Sequence, residues 1–118
     1  MTRPMVMATV LAGMGVLHLA APRPFDGLIP RALPGPARAW TYGSGVAELA
    51  VAGLLAVPGS RRAGGRAAQL LFLAVWPGNF YHAYRARNAS PRTRAITLAR
   101  LPLQLPMIAA AGRIAAGR

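Results

Sequence analysis

Cysteine and lysine are both missing from this chain of 118 residues, and its 2 acidic residues face 14 arginines, for a formal charge of +12. Without cysteine there is no disulfide framework, zinc knuckle, iron–sulfur cluster or thiol chemistry, so any electron transfer has to use something bound. The lack of lysine, beside abundant alanine, arginine, glycine and proline, is what GC-rich coding tends to produce and carries little mechanism. Aromatic residues are also few, at 2 Trp, 3 Tyr and 3 Phe, yet 54% of the chain is hydrophobic. That composition excludes a disordered basic tail, which would be poor in apolar residues. The length allows one domain.

The arginines punctuate apolar runs and do not form one patch, which argues for a bilayer and against nucleic acid. The runs predict an all-α, membrane-embedded, up-down four-helix bundle occupying residues 1–118, with spans at about 5–21, 39–57, 67–84 and 95–115. At about 1.5 Å of rise per residue, each is near the length that crosses a hydrocarbon core of about 30 Å. A cleavable signal peptide fits the first run poorly, because its basic flank is Arg3 alone and no A-x-A site follows. The proline-rich connection from Pro22 to Arg38 carries Phe25, Leu28, Ile29 and Leu33, and is expected to lie folded at the headgroup level or as an ordinary loop. The two later connections are short, so successive helices are expected to be antiparallel neighbours.

Four spans would place both ends of the chain on one side of the bilayer, which is called here the terminal side. Arg3, Arg61, Arg62, Arg66, Arg113 and Arg118 would lie there, and Arg23, Arg31, Arg38, Arg85, Arg87, Arg92 and Arg94 on the opposite side. The positive-inside rule therefore does not choose an orientation.

Polar residues inside such spans are costly, so their positions are informative. Thr41, Ser44, Gly45, Glu48 and Ala52 recur at spacings of three and four, as do Thr93, Thr97, Arg100 and Gln104. Gln69, Phe72, Trp76, Asn79 and His82 form a third stripe, and Met7, Leu11, Met14 and His18 a fourth. By depth, His18, Asn79, His82 and Arg100 fall roughly 3 to 9 Å inside the opposite boundary, with Glu48 near mid-membrane. We expect His18, Glu48, Asn79, His82, Arg100 and Gln104 to converge as a ligand-binding or structural polar cluster. Within it, Glu48 and Arg100 are expected to pair, with Asn79 and Gln104 filling their remaining hydrogen bonds. The plainer alternative is an interhelical clamp that holds no ligand.

His18 and His82 at similar depth raise the question of an axial haem pair, but single histidines near helix ends are more often interfacial hydrogen-bonding residues. Pro77, Pro102 and Pro106 are read as kinks, and Gly43-Ser44-Gly45 as close helix packing. Asn88-Ala89-Ser90 matches a glycosylation sequon by chance. The chain has no nucleophile elbow, H-E-x-x-H or phosphate-binding glycine loop, so no catalytic residue and no metal ligand is assigned.

Several blocks run in order along the chain: Gly15-Val16-Leu17-His18 with Pro22 and Phe25, Ile29-Pro30 and Leu33-Pro34, Ser44-Gly45-Val46-Ala47-Glu48, Pro77-Gly78-Asn79, and Arg100-Leu101-Pro102-Leu103-Gln104. In these the chain resembles the DoxX family of small bacterial membrane proteins, with Trp-Pro-Gly-Asn standing where Phe-Pro-Ala-Asn is usual. The resemblance implies a multi-pass protein of the bacterial plasma membrane, in a family with members associated with thiosulfate-to-quinone electron transfer and with oxidative-stress complexes. The resulting expectation is a redox-associated subunit, not an enzyme on its own, that binds a quinone or docks an oxidoreductase subunit. Its other partners would be the lipid bilayer and further copies of itself, with no nucleic acid. The alternatives are a structural membrane scaffold and a small proton-coupled transporter. A glutamate facing an arginine would suit the transporter poorly, since the cation holds the carboxylate ionised.

Overall fold

The computed structural model describes residues 2–118 and is all-α, with no strand among them. Four long helices and one short one follow in order: α1 (Arg3–Ala20), α2 (Arg23–Asp26), α3 (Ala37–Ala56), α4 (Arg61–Arg85) and α5 (Pro91–Ala115). Local chemistry sets several of their ends. The Thr2 hydroxyl accepts from the Met5 N–H at 3.4 Å and caps α1, and the Ser90 hydroxyl accepts from Thr93 N–H at 3.3 Å ahead of Pro91 at the start of α5. Both supply an acceptor to a first-turn donor that has no intrahelical partner. Helix α4 begins at Arg61, well before the apolar run, and carries Gly64 and Gly65 where it passes close to the ends of α3 and α5. Pro77, Pro102 and Pro106 sit inside helices that continue past them.

Helix α1 packs along α3 and α4 along α5, while α3 touches α4 less and α1 barely meets α5. Between α3 and α4 the chain turns through 110°. The near-antiparallel hairpin expected at this connection is therefore not formed. A 3-10 turn at Pro58–Ser60 swings the chain, and Gly64 then crosses the end of α3 so closely that a Cβ on it would lie 2.8 Å from the Leu55 nitrogen. Arg61 fixes the corner by donating from Nε to the Leu55 carbonyl at 3.0 Å. Its charge sits on the negative end of α3, where a cation is favourable.

The apolar core is confined to one end of the molecule: Ala8 and Leu11 on α1, Val51, Ala52 and Leu55 on α3, Ala68 and Phe72 on α4, Ala111 and Ile114 on α5. Elsewhere the usual distribution is inverted. Val46, Leu70, Leu98 and Leu103 are 58 to 60% exposed, whereas Thr41, Glu48, Thr97 and Gln104 are 0 to 8% exposed. Helices α1 and α5 are each long and apolar enough to cross a membrane, and α3 with α4 qualify only as a bent pair.

Candidate functional site

The polar stripes face inward, as their spacing requires. Thr41, Gly45, Glu48 and Ala52 are buried on α3, and Thr97 and Gln104 on α5, with Arg100 half-buried between them. Thr93, at the exposed start of α5, lies outside the stripe. Beyond the apolar core these faces leave a cavity of about 340 Å³, and His18, Glu48, Asn79, Arg100 and Gln104 all line it. His82 does not line it, but touches it through Arg100. Phe72, Leu103 and Met107 are among its apolar walls. A neighbouring cavity of about 530 Å³ shares His18, Phe25, Leu28 and Asn79 and runs on towards Trp40 and Thr41.

The polar groups divide between two walls. On the α1–α3 wall, His18 Nδ1 donates to the Met14 carbonyl at 2.6 Å and lies 3.4 Å from Glu48 Oε1. A carbonyl can only accept, so His18 carries a proton on Nδ1. Its ring stacks on Phe25 at 3.8 Å between centroids. On the α4–α5 wall, Arg100 donates to His82 Nδ1 at 3.3 Å and to Asn79 Oδ1 at 3.3 Å. His82 Nδ1 must accept there, so His82 is neutral with its proton on Nε2.

The expected Glu48–Arg100 pair is not formed among the described residues. Each of these side chains finds a nearer partner within its own helix pair, and the cavity separates the two walls. Gln104 does not serve such a pair either, for its amide donates to the Phe72 carbonyl at 3.0 Å. Trp76 answers from the other helix, donating from Nε1 to the Leu101 carbonyl at 3.0 Å. The two bonds form a reciprocal clasp between α4 and α5 that satisfies each buried donor. The glycine reading holds at Gly45, where a Cβ would lie 2.8 Å from His18 Cβ, but Gly43 faces open space.

One participant was not singled out in the sequence. Asp26 on α2 accepts from the Thr41 hydroxyl at 2.6 Å and from Arg38 Nε at 3.0 Å. This latch holds the proline-rich connection over the cavity mouth, where Phe25 and Leu28 complete the wall. The Thr41 hydroxyl bond, aided by Arg38, holds the Asp26 carboxyl below the usual carboxylate range against the opposing effect of desolvation. The only sequence signal was the rarity of acids, since the segment has no periodicity to read. No group of three or more metal-ligating side chains occurs among the described residues.

These features define a small helical protein with an inverted polarity pattern and a mixed polar and apolar cavity between two helix pairs. The chain belongs to a family described as a domain of unknown function (DUF8561), whose model matches residues 7–115. No curated protein and no solved structure matches it.

Proposed function

We propose that this chain is a DoxX-like multi-pass protein of the bacterial plasma membrane, a four-helix bundle that holds a quinone head group between its helix pairs as a redox-associated subunit. The observation that carries this reading is the cavity. Its walls are mostly apolar, its few polar groups converge from all four long helices, and it lies where α1 and α5 barely touch. An apolar pocket with a small number of placed polar groups suits a quinone, and a gap between helices suits entry from lipid. The inverted exposure pattern supports embedding, since lipid covers apolar faces that water would not. The order of the sequence blocks supports the family reading. In this reading the redox step belongs to an oxidoreductase subunit docked on the chain.

The test uses the full chain in lipid nanodiscs titrated with decylubiquinone. Arg100→Ala, with helicity retained by circular dichroism, is expected to weaken binding at least about tenfold, the scale of one lost charge-assisted hydrogen bond. Unchanged affinity would count against the reading.

A second reading, a proton-coupled transporter, gains from the position of Glu48. Beside His18 and apart from Arg100, this carboxylate has a partner that can exchange a proton with it. Substrate-driven proton flux in liposomes, abolished by Glu48→Gln, is the outcome this reading requires.

A further inference from the structure

The charge on the cavity wall narrows the class of ligand. Arg100 lines the cavity, yet its partners are a neutral imidazole nitrogen and an amide oxygen. Neither neutralises a guanidinium, which stays protonated at any ordinary pH. The chain has two acids and both are engaged elsewhere, Asp26 with Arg38 and Thr41, Glu48 with His18. Glu48 is paired with His18, so Arg100 is the charged group on the cavity wall with no ion-pair partner among the described residues. A cation in a low-dielectric surrounding without a counter-charge is costly, and an anion seated beside it relieves that cost. The surrounding wall is apolar, with Phe72, Leu103 and Met107 facing the same space.

We propose that the cavity takes a lipophile whose head is a single ionised oxygen acid, with Arg100 as its counter-cation. This rests on reading the cavity as a ligand site and deepens it by giving the head group a charge. The same chemistry is offered by a hydroxyquinone ionised at neutral pH and by a fatty carboxylate. A carboxylate can meet with both its oxygens the two guanidinium nitrogens that now donate to His82 and Asn79, and the hydroxyquinone can meet them with its ionised oxygen and the adjacent carbonyl. The neutral quinone of the broader reading would use Arg100 as a donor only.

Matched pairs of probes test this with the full chain in phosphatidylcholine nanodiscs, by calorimetry corrected for partition into empty discs. One pair is a 2-hydroxy-3-alkyl-1,4-naphthoquinone and its 2-methoxy ether, and the other is laurate and its methyl ester. The ionised member of at least one pair is expected to bind at least tenfold tighter, and the pair that shows the preference identifies the source of the head group. Arg100→Gln is expected to abolish the preference and Arg100→Lys to keep most of it. The comparison on the unmodified chain stands even if a variant does not fold. Equal affinity for both members of each pair, or a preference that survives Arg100→Gln, overturns the charge proposal, while binding of the methoxy quinone leaves the broader quinone reading standing. Failure of all four probes to bind overturns both.

Discussion

Asp26 and Glu48 are the two acids of the chain, and each is held by a different kind of partner. Asp26 lies at the surface between a hydroxyl and a guanidinium, and its lowered pKa makes the latch on α2 dependent on pH. A carboxyl depressed in the folded state adds stability that is fully present above its unfolded value of about 4 and is lost as pH falls through the lower folded value. Hydrogen exchange at the Leu28 and Ile29 amides, which close the turns after α2, should therefore quicken as pH drops below about 4, once the intrinsic pH dependence of exchange is removed. Asp26→Asn should give the faster exchange already at neutral pH and remove the acid step. Glu48 differs in being legible from sequence as an inward residue but not in its partner. The spacing that put it on the polar face of α3 is local, whereas the choice of His18 over Arg100 was made by the packing of α3 on α1.

At the level of elements, the α1–α3 contact rests on two glycines. A Cβ on Gly15 would come within 2.9 Å of the Gly45 carbonyl, and one on Gly45 within 2.8 Å of His18 Cβ. This crossing sets the axial offset that brings His18 level with Glu48. Gly45→Val should lower the thermal midpoint by an amount corresponding to about 1–3 kcal/mol of overpacking. Gly43→Ala, two residues away on the opposite face and in open space, should leave it unchanged or raise it through helix propensity. Thermal unfolding followed by circular dichroism distinguishes the two, and equal effects would mean that the crossing is not the constraint. The arginines near Ser60 act on elements as well, since Arg61 donates to carbonyls at the end of α3 and Arg62 to the Ala116 carbonyl just past α5. Their count was plain in the sequence, but their role as helix-end donors depends on the corner that brings these ends together.

For the whole molecule, the separation of an apolar core at one end from a polar cavity at the other was implicit in where the stripes change character. Leu11, Ala52, Phe72 and Ala111 occupy the core end, while His18, Glu48, Asn79 and Arg100 surround the cavity. The sequence by itself determined the all-helical architecture, most of the residues that turn inward on each long helix and the polar nature of one half of the interior. Those features follow from a repeat of about 3.6 residues, which every helix carries within its own segment. Only the tertiary structure decided that the cluster splits into a His18–Glu48 wall and an Asn79–Arg100 wall, that Gln104 and Trp76 clasp α5 to α4, and that Asp26 latches the cover. Periodicity gives the direction in which a side chain points but not the axial offset or crossing angle of the helix it meets. Here those were set by the Gly15–Gly45 approach, a contact between segments far apart in the chain, and by the 110° turn at Pro58–Ser60.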